Sequence, residues 1–210
     1  MSAVAAPARP ATARPTGAAP ARAAERLFGD RLPEGETVLW TGRPEWRSFL
    51  VHALPLRGAW IWIVGCGTLL ALTADTGPAR AAQLGWTLVV GLTVTALGAG
   101  FAWLVSRSTE YAFTDRRVAM RTGVALPGVL NIPFRNVRSV DLREFRGGSG
   151  DVPLTLGDGD YPGWLFLWPH VRPWQVNRPD PAFRAIADAA DVGERLAAAI
   201  EACARRGDDA

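Results

Sequence analysis

The sequence predicts an α+β membrane protein: a hairpin of two transmembrane helices, then a small antiparallel β-barrel or sandwich capped by one C-terminal helix. Three observations predict this class. Residues 58–74 and 81–105 are apolar and lie only six residues apart, and the second stretch has no charged residue over 25 positions. Short alternating segments follow between residues 106 and 168, and they are typical of β-strands. Apolar residues near the C-terminus then recur at helical spacing.

The two apolar stretches differ in length. Residues 81–105 exceed the roughly 20 residues that cross a hydrocarbon core, whereas the 17 residues of 58–74 lie at the lower limit. Tryptophans stand near the ends of both stretches, as in the aromatic belts of membrane helices. The alternative is a buried helical hairpin in a soluble protein, but core helices rarely run for 25 residues without a charge. We therefore interpret 58–105 as a transmembrane hairpin.

Arginines predict the orientation of this hairpin. They are concentrated at the open end of the hairpin, where the chain enters and leaves it. Arg43, Arg47 and Arg57 come before the first span, and Arg107, Arg116 and Arg117 come after the second. The connecting turn contains one acid, Asp75, and one base, Arg80, so its net charge is zero. Because positive charge beside short loops stays in the cytoplasm, we expect both termini on the cytoplasmic side of a bacterial inner membrane.

The parts before the hairpin have different compositions. Residues 1–24 are a low-complexity sequence of Ala, Pro and Arg with too little apolar surface to offset chain entropy, so a disordered tail is expected. Residues 25–57 are expected to hold a strand around residues 36–40. They also hold an amphipathic segment, 46–57, that predicts a short interfacial helix leading into the membrane.

Residues 106–206 predict one domain made of short strands and a final helix. The expected strands are Glu110–Thr114, Arg117–Arg121, Val129–Phe134, Asn136–Arg143, Val152–Leu156 and Trp164–Trp168. Val192, Leu196 and Ile200 are spaced for one face of a helix around Asp188–Arg206. A β-barrel closed by this C-terminal helix is the simplest assembly.

Composition excludes several functions. The net charge of +3 is accounted for by the tail, since residues 106–210 contain 14 Arg against 14 Asp plus Glu, and no basic face for nucleic acid is visible. Two His and two Cys give no metal-ligand spacing or disulfide framework. No nucleophile, base or phosphate-binding glycine motif forms a catalytic set. We expect a protein that is not an enzyme and has no resident cofactor.

Two segments resemble bacterial membrane-linked pleckstrin-homology (PH) proteins. GETVLWTGRP, residues 35–44, looks like their opening signature, and EYAFTDRRVAMRTG, residues 110–123, resembles their first β-hairpin. The resemblance implies a PH-like barrel or sandwich with a capping helix.

A narrower resemblance covers residues 34–198. GRPEWRSF (42–49), GVALPGVLNIPF (123–134), GDVPLTL (150–156) and LFLWPHVRPWQVNRPDPAFR (165–184) are similar to the PuhB family of purple bacteria. These are photosynthetic-complex assembly proteins encoded near the reaction-centre H subunit. The resemblance implies a membrane assembly factor for the reaction centre and core light-harvesting complex, with their subunits as partners. The alternatives are a general bacterial PH protein that binds lipid or scaffolds envelope complexes, and a stable structural subunit of a photosynthetic complex.

The segment WPHVRPW, residues 168–174, is the first candidate site. Trp168, His170, Arg172 and Trp174 fall within seven residues whose backbone is fixed by two prolines, and Trp and Arg dominate protein interfaces. They form either a docking surface for a partner or a plug in the barrel core.

Three further sites are expected near the membrane. His52 precedes the first span and could ligate the magnesium of a bacteriochlorophyll, or simply hydrogen-bond among headgroups. Arg116 and Arg117 could contact lipid headgroups or only anchor the orientation. Gly91 and Gly98 allow close helix packing, either within the hairpin or against a partner helix or a second copy in a homodimer.

Overall fold

The computed structural model describes residues 27, 35–123, 128–157, 163, 167–171 and 179–208. The tail expected over residues 1–24 lies outside the described residues.

A broken helix leads into the apolar region. The lead-in helix, Trp46–Ala53, is α-helical over Trp46–Ser48 and π-helical over Phe49–Ala53. It stops because Pro55 follows Leu54, which takes an extended conformation with φ −92° and ψ 140°. Helix α1, Leu56–Leu72, continues at a bend of 55° to the lead-in helix.

Helix α2, Gly77–Ser108, returns antiparallel to α1. Thr76 caps its N-terminus by accepting a hydrogen bond from the backbone N–H of Ala79 at 3.3 Å, and Pro78 occupies the first turn. Among the described residues, α2 alone is long and apolar enough to cross a membrane. The lead-in helix and α1 meet the same criterion only when they are taken together as one bent span, and the number of possible spans is then two.

Four strands form the first sheet, in the order β1-β2-β3-β4 with every neighbouring pair antiparallel. They are β1 Val38–Gly42, β2 Glu110–Thr114, β3 Arg117–Thr122 and β4 Gly128–Pro133. Since β1 pairs with β2, with Trp40 opposite Phe113, the two helices are inserted between neighbouring strands of one sheet. The β-domain therefore includes residues that precede the boundary expected at 106.

The second sheet is built around β7. A short 3₁₀ helix, Phe134–Asn136, leads from β4 into it. Its strands are β5 Val137–Val140, β6 Arg143–Glu144, β7 Gly150–Leu156 and β8 Ala182–Ile186. Strands β5 and β6 pair in succession with one edge of β7, and β8 pairs with the other edge. The sequence did not predict β8.

The strand expected over Trp164–Trp168 is wrong where the structure describes it. Leu167 is in a helical turn and Trp168 in the turn that follows, while residues 164–166 lie outside the described residues. The N–H of Leu167 donates to the carbonyl of Gly163 at 3.2 Å, and the N–H of His170 donates to the carbonyl of Leu167 at 2.6 Å, so these backbone groups bond within turns and not in a sheet ladder.

Helix α3, Ala189–Asp208, closes the β-domain. Its buried residues Val192, Leu196 and Ala199 belong to one hydrophobic core with side chains of both sheets, among them Phe113 and Phe183. The expected antiparallel strands and C-terminal helix of a PH-like domain are thus present.

Candidate functional site

The junction between the helices and the β-domain contains several of the residues that the sequence singled out. The lead-in helix lies between the end of α2 and the second sheet, and fully buried Phe49 packs with Ala102 and Val105 of α2 and with Ala185 of β8. Ser106 donates a hydrogen bond to the carbonyl of Pro44 at 2.7 Å. The end of α2 is therefore fixed to the β-domain through the lead-in helix.

An irregularity in β8 makes this connection. Ala185 has φ +50°, in the left-handed region that costs a non-glycine residue about 1–2 kcal/mol. Two hydrogen bonds hold it there: its N–H donates to Asp151 Oδ1 at 2.8 Å, and its carbonyl accepts from the N–H of Glu45 at 2.7 Å. The strained residue thus turns its carbonyl toward the start of the lead-in helix.

His170 lies in the core of the junction. Its Nδ1 is 2.6 Å from the Tyr111 hydroxyl, its Nε2 is 3.0 Å from Thr109 Oγ1, and its ring faces Phe49. The network is satisfied when Tyr111 donates to Nδ1 and Nε2–H donates to Thr109. Complete burial lowers the pKa of His170 to about 3, and the charge of Arg184 acts in the same direction. The imidazole is therefore neutral at physiological pH.

A buried ion pair continues this network. Arg184 Nε lies 3.1 Å from Asp151 Oδ2, and both side chains are 5% exposed. Arg184 Nη1 donates to the carbonyl of Val171 at 2.9 Å, and its backbone N–H donates to the Tyr111 hydroxyl at 3.2 Å. Burial raises the pKa of Tyr111. Together these contacts fix residues 170 and 171 to β2, β7 and β8.

The described residues of the expected docking segment, 168–174, differ in exposure. His170 is 0% exposed and contributes to the core, so docking by this side chain is wrong. Trp168 is 39% exposed and lies against Phe101 of α2, with ring centroids 5.4 Å apart. Arg172 and Trp174 lie outside the described residues. Trp168 remains available to a partner or to the membrane surface.

Acid is expected to destabilise the protein through His170. Its pKa is lower in the folded than in the unfolded chain, so the unfolded state binds more protons between about pH 6.5 and pH 3. The free energy of unfolding should fall by up to about 1.4 kcal/mol per pH unit as pH decreases through this window. Chemical denaturation of the full chain and of His170→Gln in detergent measures this, since glutamine cannot titrate. Parallel pH profiles for the two chains would contradict the prediction.

His52 is an exposed residue of the π-helical part of the lead-in helix. Its ring stacks on Phe145 with centroids 4.1 Å apart, and its Nδ1 lies 3.1 Å from the carbonyl of Ser48. A carbonyl only accepts, so Nδ1 carries the hydrogen of this bond; in the neutral imidazole, Nε2 then has the lone pair that can ligate a metal. Ligation of a pigment magnesium stays a prediction. Within the described part of the chain, no group of three or more His, Cys, Asp or Glu could hold a metal ion.

Arg116 lies between β2 and β3, and Arg117 lies at the start of β3. Arg117 forms two hydrogen bonds with buried Glu36, from Nε and Nη2, each at 2.8 Å. Five residues of β2 separate both arginines from the end of α2 by about 17 Å. Contact of these arginines with lipid headgroups, or a role in orientation alone, stays a prediction.

Gly91 and Gly98 lie in the contact between α1 and α2. A Cβ added at Gly91 would come within 2.4 Å of the Trp60 ring, and one at Gly98 within 3.2 Å of Leu56. Trp60 Nε1 also donates to Thr95 Oγ1 at 2.9 Å. These glycines pack the two helices of the hairpin together, so neither presents an open face to a second copy.

Sequence reasoning missed the ion pair of Asp151 and Arg184 and the partners of His170. No local pattern identifies them, because Asp151 and Arg184 are 33 positions apart and Tyr111 precedes His170 by 59. The pairing of β7 with β8 brings Asp151 to Arg184, and the packing of residue 170 against β2 brings His170 to Tyr111.

The comparisons with known proteins agree with this architecture. Residues 62–200 match the family described as bacterial PH domain, and the chain belongs to that family. It is also 33% identical over 181 residues to an uncharacterized 23.7 kDa protein in the puhA 5′ region of Rhodobacter capsulatus. That alignment covers 81% of this chain and 82% of the relative. No solved structure matches the chain significantly.

Proposed function

We propose that this chain is a non-catalytic membrane assembly factor for the photosynthetic reaction centre and core light-harvesting complex. One observation carries the proposal: 33% identity, over four-fifths of both chains, to a protein of the puhA region. That relative indicates a photosynthesis-operon context. The resemblance over residues 34–198 to assembly proteins encoded near the reaction-centre H subunit supports the same role.

The proposed location is the inner photosynthetic membrane, with α1 and α2 both spanning it. Large apolar side chains on both helices are exposed, among them Ile61 at 74%, Leu72 at 70% and Leu97 at 70%. Exposed apolar surface of this extent is costly in water and favourable in lipid. The arginines before α1 and after α2 then favour both termini in the cytoplasm.

The proposed domain organisation follows from this location. Residues 1–24 form a tail, 25–57 lead into the membrane, 58–105 hold the hairpin, and 106–206 form the cytoplasmic PH-like domain together with strand β1.

The proposed mechanism is transient shielding of client helices. Gly65, Gly85 and Gly100 have open space where a Cβ would point, so a client backbone could approach the outside of the hairpin closely. Helix faces with small or polar residues are costly to leave unpaired in lipid. The reaction-centre and core antenna subunits are the proposed clients, and a second copy is an alternative occupant of this surface. No catalytic step and no resident cofactor are part of the proposal, and a pigment contact at His52 would be an addition to it.

Deletion of the gene tests the proposal. We expect membranes of the deletion strain to lose reaction-centre and core-antenna absorbance while free bacteriochlorophyll is still made, because the chain supports assembly rather than pigment synthesis. Absorbance spectra of the membranes measure this, and the wild-type gene in trans is the control for restoration.

Normal spectra in a pigmented deletion strain would reject the assembly role and favour the general PH-domain alternative, which the family match over residues 62–200 supports. Co-purification at fixed stoichiometry with the mature complex would instead favour a structural subunit.

In the same strain, Trp168→Ala tests the exposed residue of the docking segment: lost absorbance at normal protein level would assign it to client contact.

A further inference from the structure

Two ring contacts place one face of the β-domain at the level of the final turns of α2. Phe145, between β6 and β7, stacks on His52 just before α1 begins. Trp168 lies against Phe101, which is seven residues before the end of α2 and therefore about 10 Å from it. The turn between β6 and β7 consequently lies beside the start of α1 rather than away from the helices.

Three exposed arginines lie at this turn or at the start of α1. The Arg143 guanidinium is 5.6 Å from the centroid of the Phe145 ring, Arg146 is the residue after Phe145, and Arg57 is in the first turn of α1. In the part of the chain that the structure describes, none of them forms an ion pair. The acid next to Arg143 in sequence, Glu144, points to the opposite face of β6, since side chains alternate along a strand.

We propose that Arg57, Arg143 and Arg146 form a site for the headgroups of anionic phospholipids, which holds the turn between β6 and β7 against the bilayer. The inference rests on the proposed spanning of the membrane by α1 and α2. Guanidinium groups bind phosphate oxygens in pairs of charge-assisted hydrogen bonds. An arginine near an anionic membrane surface strengthens attachment about fivefold, and the effect is lost beyond a Debye length.

The opposite end of the domain supplies a matched control. Arg116 lies in the turn between β2 and β3, and its carbonyl accepts a hydrogen bond from the N–H of Phe134 at 3.0 Å, next to Arg135. The C-terminal turn of α3 reaches the same end, where Arg206 Nη1 is 3.6 Å from Asp115 Oδ2. Arg116, Arg135 and Arg205 are exposed there, so replacing them removes equal charge far from the helices.

The experiment compares three full-length chains reconstituted in bilayers: wild type, Arg57→Gln/Arg143→Gln/Arg146→Gln, and Arg116→Gln/Arg135→Gln/Arg205→Gln. Electron spin resonance of spin-labelled phosphatidylglycerol and phosphatidylcholine gives the fraction of each lipid immobilised by the protein. We expect wild type to prefer the anionic lipid, the first variant to lose this preference by roughly twofold to fivefold, and the control to keep it. The wild-type preference should also weaken at high salt.

The outcomes separate the two proposals. Absence of any immobilised lipid around wild type would overturn membrane spanning itself. Immobilised lipid without a preference for phosphatidylglycerol, or a preference unchanged in the first variant, would overturn the headgroup site while leaving the span intact. Equal loss in both variants would assign the preference to net charge and would also overturn the site.

Discussion

Leu196→Asp should unfold the β-domain. Leu196 is 0% exposed and belongs to the face of α3 that packs on both sheets. The substitution removes a buried apolar side chain and places a carboxylate without a partner in the core, at a cost of several kcal/mol. The truncation costs about 2–5 kcal/mol and the buried carboxylate adds several more, so together they approach the roughly 5–15 kcal/mol by which domains of this size are stable. Tryptophan fluorescence during chemical denaturation of the full chain in detergent measures the change.

Ala198→Asp is the control for this prediction. It introduces the same charge two residues further along α3, at an exposed position, and should change stability by less than about 0.5–1 kcal/mol. Equal denaturation midpoints for Leu196→Asp and wild type would show that α3 does not close the core.

Arg184→Leu should be the second most damaging change, destabilising the chain by about 3–5 kcal/mol. The reason is the charge left behind: Asp151 is 5% exposed, and its carboxylate would lose the cation 3.1 Å away. Arg184 also donates to the Val171 carbonyl at 2.9 Å, so residues 170 and 171 should loosen with it. Denaturation midpoints of the reconstituted chain measure the loss.

The double variant Arg184→Leu/Asp151→Asn isolates the cause. Asparagine can still accept the hydrogen bond from the Ala185 N–H, while it carries no charge that needs a partner. We expect the double variant to recover part of the stability that the single variant loses, which is the non-additivity of residues in contact. A double variant that is less stable than Arg184→Leu would contradict the assignment.

Local sequence patterns predicted the elements whose neighbours are close in the chain. The hairpin of β2 and β3 was predicted within one residue because alternating side chains flank a tight turn, and α3 was predicted from its helical spacing. The pairing of β1 with β2 was not, because residues 43–109 separate the two strands and no spacing rule covers that distance.

The elements and sites that the sequence missed or placed differently depend on tertiary contacts, which local patterns do not encode. Strand β8 has the sequence AFRAI, whose alanines and single charge do not favour a strand, and it forms because β7 offers an open edge. His170 stands between Pro169 and Val171 in a segment that resembles an exposed loop, yet Tyr111 of β2 and Thr109, just before β2, satisfy both of its nitrogens. Arg116 and Arg117 follow Arg107 closely in the sequence, whereas the five residues of β2 separate them from the end of α2 by about 17 Å.

The insertion of the helices between β1 and β2 constrains the order of events during synthesis. The ribosome makes β1 first, and its hydrogen-bonding neighbour exists only after residues 43–109 have been translated. In the proposed topology the first sheet can form only if α1 and α2 have both crossed the bilayer. The chain then returns to the side on which β1 lies. A hairpin inserted halfway would leave β1 and β2 on opposite sides of the bilayer. In the proposed topology, formation of the first sheet is therefore conditional on complete membrane insertion of both helices of the same chain.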